Sequence, residues 1–476
     1  MKKTFASVTV EEVHEALRLW HKGMPERWPL SNLRLSLLLY QEAEAHGSLA
    51  EAGPAALNRA VLEKALTVLA GTRPDAAALL RARFEHGQDA VVLANSFNIA
   101  ESSFYYRQRQ AIEHLTAIIN ELEAQASKNW QKRMLNRLQP PSYAELVGVE
   151  EARETIIKAL MAPDNHFIVA IDGLGGIGKT ALADQVTRDL INTPRFQEIA
   201  WITAKQTHLS TLGRLQIDSG RPALTFPMLI DELSKQFDLP VGASRSVLDR
   251  QRLVRRFLRE RACLIVIDNL ETVADYRLLL PELRQWLNPT KFLLTSRLRL
   301  LDEPDVFSYS LRELSWEAAL QLIRMEARRS GFMDLMQADE KALRKIYEVV
   351  GGNPLALKLV VGQLRFHSLS YVLERFVPGQ EVRGEQDLFD YIYSEIWETL
   401  SSDSKVTLLA LTQAGETGFT FDHLVAVSGL PVERVSVCLQ ELILLSLVDT
   451  GGSLTERRYR LHRLTEVFLL RALAEE

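Results

Sequence analysis

The sequence predicts a multidomain α/β protein with an all-helical N-terminal domain, a parallel α/β domain, a small helical domain and a winged-helix domain. Three observations carry this. From about Thr9 to Ala126 apolar residues recur at spacings of three and four, as in Leu33, Leu37 and Tyr40 or Leu62, Leu66 and Leu69, which is the period of a helix buried on one face. From Phe167 to Leu182 the text FIVAIDGLGGIGKTAL is a short apolar strand, a glycine loop and a resumed helical pattern. The last segment, Asp387 to Leu473, orders as three helices, a strand at Leu447-Val448-Asp449, a Gly451-Gly452 turn and a returning strand at Arg458 to Leu461.

At 476 residues the chain is too long for a single core, and several are expected. An apolar share of 47% and a charged share of 25% are those of ordinary globular protein, and a net charge of −5 argues against a coat for nucleic acid or a membrane surface. Both cysteines, Cys263 and Cys438, fall inside apolar or helical patterns without metal-ligand partners, so they read as core residues in a reducing cytoplasm. The N-terminus turns acidic before an apolar run develops, and no run is long enough to span a bilayer.

The helical domain is expected over residues 1–126, with breaks at His46-Gly47, Gly53-Pro54 and Gly71 to Pro74. Its last third has a helix, a turn at Asn98-Ile99-Ala100 and a second helix bearing Tyr105, Tyr106, Arg107, Gln108, Arg109 and Gln110. Those groups suit phosphates and base edges, and the pair resembles a helix-turn-helix of the sigma-factor region 4 kind. A protein-docking module fits the near-balanced charge better than DNA contact does. Residues 127–142, basic and then Pro-Pro, read as a linker.

The α/β domain is expected over 143–312. Glycines 173, 175, 176 and 178 let the backbone curl so that N–H groups point inward, including those of Ile177 and Ala181, where a helix also presents its positive end. Lys179 then reaches the β- and γ-phosphates of a nucleotide and Thr180 offers its hydroxyl to Mg²⁺. A strand is expected at Glu198 to Ala204, then a polar loop over 205–225. The run Cys263 to Ile267 is a buried parallel strand whose closing Asp268 emerges where ligands of open α/β sheets sit, placed to hold the metal. The strand Lys291 to Thr295 runs into Ser296-Arg297, and a guanidinium there senses a γ-phosphate. A helical domain at 313–380 contains Gly352-Asn353-Pro354, where the Pro354 ring opens a helix and faces a bound base. Residues 381–476 make the winged-helix domain, whose helix from Val432 to Leu445 is too acidic for DNA and reads as a regulatory lid.

Taken as an ordered set, these motifs resemble the NB-ARC class of STAND ATPases, switches that include plant immune receptors, the animal apoptosome ATPase and many bacterial regulators. The resemblance covers about Tyr143 to Leu473. It implies an additional-strand (ASCE) P-loop fold in which Val147 and Gly148 line the adenine of ATP or ADP and His462 contacts the ADP β-phosphate. It further implies an ADP-bound resting state and an ATP-driven homo-oligomer that clusters the N-terminal domain for a protein sensor or effector, as in bacterial signalling or antiphage defence. The alternative is a transcription regulator binding DNA through the same N-terminal domain. Where the class commonly has a second acid, this chain has Asn269, with Glu271 the nearest carboxylate to serve as catalytic base, so slow hydrolysis is expected. Arg463 and Val149 also depart from the pattern, and the sensing repeats normal in the class would be a separate protein or a missing piece of the chain.

Overall fold

In the computed structural model the described residues are 7–21, 28–31, 33–45, 54–141, 143–193, 195–204, 207–209, 215–217, 224–239, 246–270, 273–300, 303–374, 393, 397, 400–414, 418–445, 447–453, 455–462, 465–466 and 468–469. They divide into two compact units, one comprising residues 1–137 and 191–197 and the other 138–190 and 198–476.

Among the described residues the first unit is built from α1 (Val10–Arg18), α2 (Arg34–Ala45), α3 (Pro54–Thr72), α4 (Pro74–Leu80), α5 (Ala90–Ser96) and α6 (Glu101–Arg137). Thr9 and Glu12 form a reciprocal capping box at the start of α1, which satisfies two otherwise orphaned amides. The expected break at Gly71 to Pro74 is present as the junction of α3 and α4, whereas the one at His46-Gly47 lies outside the described residues. The core joins Val13, Leu17, Leu62, Leu66, Leu69, Phe104, Leu115 and Ile119. Glu123 of α6 caps α2 from a distance, accepting from the Arg34 and Leu35 amides at 3.1 and 2.9 Å. Burial pushes its carboxyl above the usual range while those donors pull the other way.

One boundary differs from expectation. The stretch anticipated as a linker is helical as far as Arg137, because Ala126, Trp130 and Met134 extend the i, i+4 apolar row of α6 and are buried. The Trp130 indole donates to the Gln197 carbonyl at 2.8 Å and lies under the Arg34 guanidinium, 3.6 Å from the ring centroid. That guanidinium also donates to the carbonyls of Thr193 and Phe196 at 3.2 and 2.5 Å.

The second unit carries a five-stranded parallel sheet in the order β2-β5-β6-β1-β7, from β1 (Ile168–Asp172), β2 (Glu198–Thr203), β5 (Cys263–Leu270), β6 (Lys291–Ser296) and β7 (Val306–Ser310). Its helices include α7 (Glu150–Met161), α8 (Lys179–Ile191), α9 (Phe226–Gln236), α10 (Val247–Glu260) and α11 (Val273–Arg284). β1 is buried throughout, as its apolar run requires between two neighbours. Within the stretch expected to be a polar loop, β3 (Thr207–Leu209) and β4 (Leu215–Ile217) pair antiparallel, with His208 opposite Gln216. Too short to show a period, these strands depend on each other for hydrogen bonds.

After the sheet come α12 (Trp316–Arg329), α13 (Met333–Met336), α14 (Glu340–Val350), α15 (Pro354–Gln363) and α16 (Leu369–Glu374). Further on are helices Ser402–Leu411, Phe421–Ser428 and Val432–Leu444 with an antiparallel sheet β8-β10-β9, made of β8 (Phe419–Thr420), β9 (Val448–Gly452) and β10 (Arg457–Leu461). Buried apolar residues of both groups join one cluster, from Leu322 and Leu357 to Leu442 and Val448.

Candidate functional site: a cationic pocket at the ends of the parallel strands

Register brings the site together. Asp172 stands opposite Ser296 on β6 and Ser310 on β7, so the carboxyl ends of three strands are level. In β5 the pairing with β6 slips between Ile267 and Leu270, and Asn269 there adopts φ 73°, a left-handed conformation that asparagine tolerates better than most residues. This bulge leaves Asp268 turned toward its neighbours. Its Oδ1 accepts from the hydroxyls of Thr180 at 2.7 Å and Thr295 at 2.6 Å, while the Asn269 amide donates to Thr295 Oγ1 at 2.8 Å.

A pocket of about 280 Å³ opens above these strand ends. Of the residues singled out from sequence, Val147, Gly175, Gly176, Ile177, Gly178, Lys179, Thr180, Ala181, Arg297 and Pro354 line it. Asp268, buried beside Thr180, Gly148, Gly173 and His462 are not among its lining residues. Glu271 and Arg463 lie outside the described residues.

The loop is braced by hydrogen bonds from Lys179 and from Asn353. Lys179 Nζ donates to the carbonyls of Gly173 and Leu174 at 2.7 and 3.0 Å, folding back over the loop it ends. Asn353 caps α15 with Oδ1, accepting from Leu355 and Ala356, and its Nδ2 donates to Gly175 O at 3.0 Å. The Leu355 amide meets Gly176 O at 3.3 Å. Gly176 has φ 76°, and a β-carbon there would approach Leu355 Cβ to 2.8 Å, so two constraints demand glycine. Gly148 has φ 67° and packs where a β-carbon would meet Ala318 Cβ at 2.7 Å.

Sequence reasoning missed several groups. Arg312 and Lys358 line the pocket with Lys179 and Arg297, so four cations against the single carboxylate of Glu145 make the lining attractive to anions. Lys358 Nζ lies 3.5 Å from Glu326 Oε1. Tyr143 also lines the pocket, and its hydroxyl donates to Asp184 Oδ2 at 2.6 Å. No local signal marks these positions except Lys358, one helical turn after Pro354.

Away from the pocket, a chain of charged groups connects β1 to the C-terminal sheet. Asp172, immediately before the glycine loop, accepts from Ser308 and Ser310 hydroxyls at 2.5 and 2.6 Å. Burial raises its pKa, against the pull of those donors and of Arg299 and Lys179. Arg299 Nε is 3.6 Å from Asp172 Oδ1, and its Nη2 is 3.1 Å from Asp449 Oδ1 on β9. The Arg299 amide donates to Leu444 O at 2.7 Å. His462 sits beyond, Nε2 3.5 Å from Asp449 and Nδ1 3.6 Å from Glu313. Burial works against the charged imidazole, but the Glu313 and Asp449 carboxylates outweigh it and hold its pKa above the ordinary value.

Residues 149–330 match a protein-family model described as the NB-ARC domain. Among curated proteins, the chain is 28% identical over 235 residues to a probable disease resistance RPP8-like protein 2 of Arabidopsis thaliana, covering 47% of this chain and 23% of that protein. It is 27% identical over 259 residues to the disease susceptibility protein LOV1 of the same plant, covering 51% of this chain and 26% of that one. The chain therefore spans only about a quarter of the length of these relatives. Among solved structures, the Aeropyrum pernix ORC2 protein in its ADPNP–ADP complexes aligns at 16% identity and TM-score 0.39, covering 71% of this chain and 98% of that one.

Proposed function

We propose, from the match of residues 149–330 to the NB-ARC domain, that the chain is a STAND-type signalling ATPase switched by a purine nucleotide, ADP in the resting form and ATP in the active one. What supports this most is the convergence of Lys179, Thr180, Arg297 and Pro354 on one pocket at the carboxyl ends of parallel strands. Lys179 neutralises the β- and γ-phosphates, the amides around Gly178 to Ala181 take the remaining oxygens, and Arg297 reports the γ-phosphate. Val147 and Pro354 form the apolar side for the base.

The donor set fits Mg²⁺. Thr180 Oγ1 and Asp268 Oδ1 are hard oxygens 2.7 Å apart, and the described residues contain no cluster of three or more His, Cys, Asp or Glu that would form a closed cage. Magnesium characteristically takes one carboxylate with substrate phosphates and water. When bound, it supplies charge neutralisation between the phosphates. With Asn269 beside Asp268, hydrolysis is slow.

Residues 381–476 act as the winged-helix lid and 313–380 as the small helical domain. The contact of Arg299 with Asp449 supports a closed posture. In this reading ATP releases the lid, the chain self-associates, and the N-terminal helices recruit a protein partner in signalling or defence. Binding of ADP and ATP by calorimetry tests the core of the proposal, since Lys179→Ala should abolish both and retained affinity would refute it.

A DNA-regulating role for the N-terminal unit has one observation in its favour. The first turns of α6 expose Tyr105, Tyr106, Arg107 and Arg109, anchored by buried Phe104 and Gln108. A salt-sensitive shift with duplex DNA, lost on changing both arginines, would establish it.

A further inference from the structure

Resting on the nucleotide reading above, the geometry points to Tyr143 as the aromatic wall against which the purine base stacks, a specificity-determining residue held in place by Asp184 and Arg188. Three observations converge on it. Tyr143 lines the same pocket as Val147, Ala181 and Pro354, and its ring is half-buried. Its hydroxyl is spent on Asp184, at 2.6 Å, so the phenol end is fixed and the ring is the part left to meet a ligand. Asp184 is itself buried and gripped by Arg188 through bonds of 2.7 and 3.0 Å, and Arg188 Nη2 donates to Gln139 O at 2.7 Å.

The arrangement couples two parts of the chain that sequence separates by about forty residues. Asp184 stands one helical turn after Thr180 on α8, so the helix that carries the phosphate ligands also carries the anchor for the ring. Gln139 and Tyr143 are thereby both tied to α8, the helix that follows the phosphate loop. Burial and the Asp184 carboxylate both push the Tyr143 hydroxyl upward in pKa, which keeps it a neutral donor. A flat apolar face with its polar tip already satisfied discriminates for a planar base and is indifferent to phosphate.

That indifference gives the test. The full chain, with Mg²⁺, is titrated calorimetrically with ADP and separately with pyrophosphate, which has the same phosphates and no base. Tyr143→Leu should weaken ADP by about 10- to 100-fold, the range of a lost base–aromatic stack, and leave pyrophosphate unchanged. Tyr143→Phe keeps the ring and loses only its anchor, so ADP should weaken by about threefold or less, within the worth of one hydrogen bond. Equal loss of ADP and pyrophosphate in the Leu variant would mean a collapsed loop and would overturn the assignment, as would unchanged ADP affinity. Wild-type protein that bound pyrophosphate and ADP equally would overturn it too. Wild type binding neither would refute the nucleotide reading itself.

Discussion

Replacing Arg299 with Gln should loosen the C-terminal sheet while sparing the pocket. The side chain is 10% exposed and lies between Asp172, which is fully buried, and Asp449. Removing one partner of a buried ion pair costs about 3–5 kcal/mol when the other is stranded. Here both carboxylates keep other partners: Asp172 two serine hydroxyls, and Asp449 the His462 ring. The Arg299 amide bond to Leu444 also survives. The net loss should therefore be about 2–3 kcal/mol, a shift of roughly 30- to 150-fold in the closed-to-open ratio. Hydrogen exchange resolved by peptide should show faster exchange across β9 and β10 and unchanged exchange in β1 and β6. Unaltered exchange in β9 and β10 would refute the idea that this arginine clasps the sheet.

The raised pKa of His462 sets a pH dependence. Folded protein holds the proton more tightly than unfolded, so the stabilisation is complete below the unfolded value of 6.5 and is lost as pH rises through the folded value. Thermal melts should fall from pH 6.5 upward, and His462→Gln should flatten that slope. Asn353→Ala removes both the α15 cap and the bond to Gly175 O, and should cost about 1–2 kcal/mol in denaturant melts with weaker nucleotide binding. Trp130→Ala in the first unit removes a buried indole, its bond to Gln197 O and the Arg34 stack, and should cost about 3–5 kcal/mol by the same measurement.

Much of the pocket was legible in the sequence because its parts are local. A strand, a glycine loop and a helix are contiguous, and the acid of β5 and the arginine after β6 each close an apolar run. The strands Glu198–Thr203 and Lys291–Ser296 end within a residue of expectation, whereas β5 runs on to Leu270, β9 to Gly452, and the half-buried β7 at Val306–Ser310 has too little apolar text to be expected. What stayed hidden depends on residues far apart in the chain. Tyr143 meets Asp184, and Arg299 meets Asp449 150 positions later, with nothing in either neighbourhood to announce the pairing. His462, expected against a phosphate from the resemblance alone, has Glu313 and Asp449 as neighbours that its own stretch of sequence does not announce. The extension of α6 was legible in principle, from Ala126, Trp130 and Met134, but basic composition and the prolines that follow masked the apolar row.

The most direct test of the central claim is hydrogen exchange in residues 448–461 of the wild-type chain with ADP and with a slowly hydrolysed ATP analogue. The account predicts protection with ADP and marked loss of protection with the ATP analogue. Identical exchange with both nucleotides, at concentrations that saturate the pocket, would contradict it.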